Sequence, residues 1–303
     1  MTKALVEHAT SGSGTEGCTP LCASGTLSAL LARIRAQTIM QELEALLFDV
    51  DGTLADTERD GHRVAFNLAF RDAGLDWDWS AERYGELLAV TGGKERIRHS
   101  LDRYTPAFAR PTAVVDFIAS LHQAKTAHYT RMLDDGRIPL RPGVARLIAE
   151  ARAAGLRLAV VTTTTPANVS ALLRNALAAD AESWFEVIAA GDVVPAKKPA
   201  SDIYHYAMAR LGLPPARCIA FEDSRNGLLA ARGAGLGTIV AVNGSTRAEV
   251  FGGAAAVLDE WGEPDRPFTV LAGDCGDAAC LDLALVRRLH AATPSLDLIG
   301  NHS

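Results

Sequence analysis

Short, continuous apolar runs recur along the chain and alternate with helical stretches. The runs are "ALLFDV" (45–50), "LRLAVVT" (156–162), "FEVIAA" (185–190), "CIAFED" (218–223) and "GTIVAV" (237–242). A strand with one wet face alternates polar and apolar residues, so a continuous run implies burial on both faces. The intervening segments "PGVARLIAEARAAG", "ANVSALLRNAL", "SDIYHYAMARLG" and "SRNGLLAARGAG" carry the helical period. Strand and helix alternating through short turns predict an α/β fold with a doubly wound parallel sheet.

Residues 57–140, between the first two runs, lack strand character. A structureless connection of that length is foreign to a compact domain, so the segment must fold by itself. Its pattern ("GHRVAFNLAFRDAG", "SAERYGELLAVTG", "KERIRHSLDRY", "VVDFIASLHQAKTAHYTRMLDDG") reads as four or five amphipathic helices. The expected organisation is a sheet domain over 44–58 and 138–260 with a helical cap inserted over 59–137. Hinges are expected near 56–61 and 134–142, where Asp135-Gly136 and Pro139 punctuate the chain. Residues 1–43 read as an extension, a disordered leader plus a helix over 26–43, and 261–303 as a weakly patterned, loosely attached tail.

With 48% apolar and 22% charged residues, the composition is that of an ordinary globular protein. The net charge of -6 argues against nucleic acid or an anionic membrane as partner, while leaving room for a local anion pocket. No apolar run approaches the ~20 residues that span a bilayer, and no basic segment followed by an apolar one marks a secretory signal. Five cysteines (Cys18, Cys22, Cys218, Cys275, Cys280) are few and odd in number, which fits a reducing, cytoplasmic setting better than a disulfide framework. A four-thiolate zinc site from Cys18, Cys22, Cys275 and Cys280 has the wrong spacings, so unpaired thiols are expected.

In parallel sheets, ligands gather at the carboxyl ends of strands. The first run ends in "DVDGT", with Asp49 and Asp51, the second in Thr162, and the fourth in Glu222 and Asp223. The loop after the third offers Lys197 and Lys198. Asp51-Gly52 also suits a two-residue hairpin, but no second strand follows it. Converging carboxylates repel one another unless a cation compensates them. Oxygen-only ligands select a hard ion, for which Mg2+ is the natural choice. A cation and a lysine together suit a phosphoryl group.

"DVDGT" (49–53), Thr162, Lys198 before Pro199, and "EDS" (222–224) occur in the order found in the haloacid dehalogenase superfamily, which the chain resembles over about 44–260. The resemblance implies a Rossmann-like core with an inserted cap and a phosphoric monoester hydrolase working through an aspartyl-phosphate. Asp49 is then the nucleophile and Asp51 the acid that protonates the leaving oxygen and later activates water. Thr162 and Lys198 hold the phosphoryl oxygens. Mg2+ is bound by Asp49, Asp223, the Asp51 carbonyl, and Glu222 either directly or through a neighbour. Asp51 favours phosphate esters over dehalogenation, and Val50 with the absence of membrane helices separates the chain from transport ATPases.

The finer resemblance is to the CbbY type, sugar bisphosphate phosphatases associated with the Calvin cycle that dephosphorylate xylulose 1,5-bisphosphate. It is carried by "LFDVDGTLADTE", "TGGKERI", "LRLAVVTTTTPANV", "GDVVPAKKPASDIY" and "FEDSRNGLLAARGAG". The rivals are β-phosphoglucomutase, a phosphoglycolate-type phosphatase, and a non-catalytic phosphometabolite-binding regulator. The expected partner is a small phosphorylated sugar, with the protein a monomer or weak homo-oligomer. Substrate binding is assigned to Thr53, Glu58, His62, Gly93, Lys94, Arg96, Thr163, Thr164 and Asn168. Lys94 and Arg96, with N–H groups exposed by Gly93, would hold a second phosphate. The alternatives are solvated helix-start charges for Lys94, Arg96 and Glu58, a surface position for His62, and a turn cap for Asn168.

Overall fold

A computed structural model describes residues 42–90 and 92–293. Strands β1 (Ala45–Phe48), β2 (Arg157–Val161), β3 (Val187–Ala189), β4 (Cys218–Glu222), β5 (Gly237–Ala241), β6 (Ala256–Leu258) and β7 (Val270–Gly273) form one sheet in the order β3-β2-β1-β4-β5-β6-β7. Every pairing is parallel except the antiparallel β6–β7 edge. The expected doubly wound sheet is therefore the observed one, with β1 inside it between β2 and β4. Of the helix expected over 26–43, only Glu42 and Leu43 lie within the described residues, and they are not helical.

The apolar runs are continuous because each strand feeds two cores. Leu46 and Phe48 point to one face, where α5 (Val144–Ala153) and α9 (Leu283–Ala292) pack. Ala45 and Leu47 point to the other, against α7 (Asp202–Leu211) and α8 (Arg225–Gly233). On this second face β1, β2 and β4 present Ala45, Ala159 and Ala220, small residues that let Tyr204 and Met208 of α7 approach the sheet.

Helices α1 (Arg63–Asp72), α2 (Ala81–Leu87), α3 (Gly93–Arg103) and α4 (Val114–Asp134) are inserted between β1 and β2. They enclose a separate apolar cluster of Phe66, Phe70, Trp79, Tyr84, Leu87, Ile97, Leu101, Ile118 and Leu121. Asn67 pins the start of α2 by bonding both backbone groups of Trp79, and the indole donates to Ser100 Oγ at 3.1 Å. The two crossings between sheet and insertion touch: Ala55 bridges Leu140, and Arg141 N donates to Leu54 O at 2.8 Å. α6 (Pro166–Leu172) follows β2 and is capped by Thr165.

The segment beyond residue 260 is not a loose tail. Trp261, Phe268, Cys275, Leu281, Leu285, Val286 and Leu289 belong to the same core as Phe48 and Phe221. Trp261 covers the aromatic pair at the ends of β1 and β4, with ring centroids 5.8 Å from Phe48 and 5.2 Å from Phe221. Its patterning is weak because β7 is short and exposed along its length, so it carries no alternation. Trp261→Ala should cost about 3–5 kcal/mol of unfolding free energy, read as a lower urea midpoint at unchanged slope. A loss below about 1 kcal/mol would mean that the segment contributes little to the core.

Candidate active site

The carboxyl ends of β1, β2 and β4 bring their terminal residues to one rim, as their in-register pairing requires. Phe48 lies opposite both Val160 and Phe221, so Asp49, Thr162 and Glu222 follow at nearly one level. A cleft of about 450 Å³ opens there, lined by Asp49, Asp51, Glu58, Thr162, Thr163, Lys198, Glu222, Asp223 and Asn243, among others.

Lys198 organises the rim. Its Nζ lies 2.8 Å from Asp49 Oδ1, 2.6 Å from Glu222 Oε1 and 2.8 Å from Val161 O, which uses all three ammonium protons. Burial alone would lower its pKa, but the Asp49 and Glu222 carboxylates raise it overall, so it stays charged. Lys197 also borders the cleft, but its ammonium donates to Gly191 O at 2.6 Å and pairs with Asp192.

Asp49, Glu222 and Asp223 are buried and offer one oxygen each within 4.8 Å of one another. Burial, then Asp49, raises Glu222 to about 7 despite the opposing Lys198. Burial, Asp49 and Glu222 likewise hold Asp223 well above the usual carboxylate range. One ammonium touches two of these three groups, and among the described residues no cation pairs with Asp223. Glu222 Oε2 is buried without a hydrogen-bond partner, while Tyr204 donates to Oε1. An oxygen-only donor set with excess buried negative charge fits a hard divalent cation.

Asp51 stands apart from this cluster. Its Oδ1 accepts from Thr57 Oγ1 at 2.6 Å, and burial first, then Asp49 and Glu58, raise its pKa to about 7. Two aspartates two residues apart thus have different surroundings: one is held by an ammonium, the other sits beside a hydroxyl at a pKa suited to exchanging a proton at neutrality.

Comparison with known proteins agrees with this geometry. The model of the haloacid dehalogenase-like hydrolases matches residues 43–235. The chain belongs to that family. It is 49% identical to the plasmid-borne CbbY of Cupriavidus necator over 225 residues, 74% of this chain and 88% of that protein. The crystal structure of CbbY from Rhodobacter sphaeroides in complex with phosphate superposes with a TM-score of 0.62 at 51% identity, covering 72% of this chain and 94% of that one. A mutant of the same protein in complex with xylulose-(1,5)-bisphosphate matches equally well.

The hydrolase fold leaves the remaining sequence candidates in distinct places. Glu58 and Thr163 line the cleft. Thr164 N donates to Thr162 Oγ1 at 3.3 Å, and Asn168 Nδ2 reaches Thr164 Oγ1 at 3.3 Å, with Thr165 rather than Asn168 capping the helix. Thr53 is fully buried, its hydroxyl without a hydrogen-bond partner, and does not line the cleft. Gly93, Lys94, Arg96 and His62 do not line it either. Lys94 is exposed. A Cβ on Gly93 would come 2.5 Å from His122 Nε2, so a larger residue there would have to displace that ring. Arg96 is no solvated charge: it donates to Tyr84 OH at 2.7 Å and to Leu87 O at 3.1 Å, while Tyr84 OH donates to Glu58 Oε2 at 2.6 Å.

His62 is half-buried against α4 rather than free on a helix surface. Residues Glu58–His62 form a π-helical turn, and Gly61 lets that turn approach α4, since a Cβ there would meet Tyr129 Cε2 at 2.7 Å. The His62 ring packs on Tyr129, and its Nδ1 lies 2.8 Å from Lys125 Nζ. Burial, then Lys125 and Arg96, lower the His62 pKa well below its ordinary value, so the neutral ring accepts from the ammonium.

Lys125, Tyr84, Tyr204, Arg141 and Asn243 escaped the sequence reading. Lys125 had a signal: it interrupts the apolar stripe Leu121, Tyr129, Leu133 of α4, where a lysine must either be exposed or find a partner. Burial lowers its pKa from 10.5 to about 8, with Arg96 acting the same way and Glu58 and Asp51 opposing. Between these values the unfolded chain holds the proton and the folded one does not, so stability at this site rises with pH. Relative to Lys125→Met, the wild type should gain up to about 3 kcal/mol of unfolding free energy from pH 8 to 10.5. A difference independent of pH would show that the ammonium remains solvated.

Proposed function

We propose that this protein is a Mg2+-dependent sugar-phosphate phosphatase that hydrolyses xylulose 1,5-bisphosphate to xylulose 5-phosphate through an aspartyl-phosphate. The observation that carries the reaction is the pairing on one loop of Asp49, fixed by Lys198, with Asp51, whose pKa is raised to about 7. The substrate is supported by 51% identity to a CbbY solved in complex with that bisphosphate.

Asp49 attacks phosphorus in line with the ester oxygen, and the P–O bond to the sugar breaks as the Asp49–P bond forms. Protonated Asp51 gives its proton to the departing oxygen. As a carboxylate it then takes a proton from water, which attacks phosphorus, releases inorganic phosphate and restores Asp49. Thr162 and Lys198 hold phosphoryl oxygens, with Lys198 exchanging part of its hold on Asp49 and Glu222 for the incoming anion. Asp49, Asp223, the Asp51 carbonyl and Glu222, directly or through a neighbour, would hold Mg2+, which when bound offsets the charge of these carboxylates and of the phosphoryl group.

The helical insertion acts as a lid that excludes bulk water and reads the far end of the substrate. Glu58, positioned by Tyr84 and Arg96, faces the cleft and would accept from sugar hydroxyls. Lys94, Arg96 and the backbone at Gly93 would meet the second phosphate as the lid closes.

Asp49→Asn should lower kcat by about 10⁴ or more while leaving the unfolding transition in place. Retained turnover would sink the nucleophile assignment. Across xylulose 1,5-bisphosphate, ribulose 1,5-bisphosphate, β-glucose 1-phosphate and 2-phosphoglycolate, kcat/KM should favour the first by about a hundredfold, roughly 2.7 kcal/mol of transition-state discrimination. A flat profile or a monophosphate preference would keep the chemistry and discard the bisphosphate. Absence of Mg2+-dependent turnover on every ester would point to a binding protein instead.

A further inference from the structure

Asn243 begins the loop after β5 and lies against the carboxylate cluster without belonging to it. Its Oδ1 accepts from Ser245 N at 2.8 Å and Thr246 N at 3.2 Å, and its own N–H donates to Thr246 Oγ1 at 3.1 Å. Two backbone donors fix the amide oxygen on that side, which leaves the amide nitrogen aimed at Asp223 Oδ2, 2.7 Å away. Among the described residues this is the one side-chain hydrogen bond to the Asp223 carboxylate.

The opposite side of the contact is the backbone at Gly52. A Cβ there would stand 2.2 Å from Asp223 Oδ2 and 2.6 Å from Asn243 Nδ2, and φ is +88°, so glycine is needed for both space and conformation. The Gly52 carbonyl accepts from Arg141, whose guanidinium also donates to Ala241 O at 2.8 Å, Val242 O at 2.6 Å and Asp259 O at 2.8 Å. Arg141 thereby ties the Asp51-Gly52 loop to the strand end that carries Asn243.

We propose that Asn243 is a positioning residue for metal binding: its amide holds one oxygen of Asp223 and leaves the other free for the cation, with Arg141 fixing the strand end from which Asn243 acts. The inference rests on the reading of Asp223 as a metal ligand. Partners that orient a ligand typically govern metal affinity by about 10–100-fold.

The test is calorimetric titration of Mg2+ into full-length, chelator-treated protein, with Asn243→Ala, Asn243→Ser and Asp223→Asn beside the wild type. Serine keeps a hydroxyl acceptor for the Ser245 and Thr246 N–H groups, which preserves the turn, but is too short to reach Asp223. Both Asn243 variants should bind Mg2+ about 10–100-fold more weakly, with kcat recovering towards wild type as Mg2+ is raised and the metal-free Tm of Asn243→Ser nearly unchanged. Mg2+ affinity within twofold of wild type in a folded Asn243 variant, or a loss of kcat that saturating Mg2+ does not recover, would overturn the proposal and leave Asn243 a loop residue only. If Asp223→Asn binds Mg2+ like the wild type, the ligand reading itself fails. If it loses Mg2+ while the Asn243 variants keep it, only the role of Asn243 fails.

Discussion

The site depends on one buried ammonium. Lys198 joins three separate pieces of chain: Asp49 after β1, the Val161 carbonyl at the end of β2 and Glu222 at the end of β4. Without it the rim would present buried carboxylates with no counter-charge, an arrangement whose desolvation cost runs to several kcal/mol per ion. With it three buried carboxyl groups still share one ammonium, which is why Glu222 and Asp223 hold their protons more tightly than usual. The protein therefore holds a deficit that a divalent cation and a phosphoryl group, arriving together, can complete. The same geometry explains why the lysine follows β3 and not a more distant element: β3 pairs with β2, so its loop reaches across Val161 to the centre of the sheet.

The stiffness behind this rim comes from the asymmetry of the two cores. On one face small residues, Ala45, Ala159 and Ala220, admit α7 closely enough for Tyr204 to donate to Glu222 from beneath. On the other, Phe48 and Phe221 stack at 4.6 Å under Trp261. The residues that follow the stacked pair are Asp49 and Glu222, so packing at one level sets carboxylate positions at the next.

The parts of the molecule legible from sequence are those in which a residue's neighbours along the chain decide its environment. Asp49, Asp51, Thr162, Glu222 and Asp223 end apolar runs, and strand ends meet at one rim in any parallel sheet. Lys198 was legible through its place before Pro199 in an ordered set of motifs. What escaped depends on partners far along the chain. Lys125 meets His62 across 63 residues, and Tyr84 meets Glu58 across 26. Arg141 satisfies carbonyls about 100 residues away, and nothing local marks it as a tie. β6, β7 and Trp261 were unreadable for a different reason: strands of three and four residues joined by irregular chain have no period to detect.

The contacts of Asp51 and the start of the helical insertion share one turn of chain. Thr57, fully buried, holds Asp51 through its hydroxyl and immediately precedes the π-helical turn that carries Glu58 and His62. A π-turn sets five residues where an α-helix would need fewer, and Gly61 makes room for its wide girth against Tyr129. The returning strand of the crossing is fastened at Leu54 and Ala55, two to three residues before Thr57. The hydrogen bond that lowers the Asp51 pKa against burial thus lies where the insertion leaves the sheet.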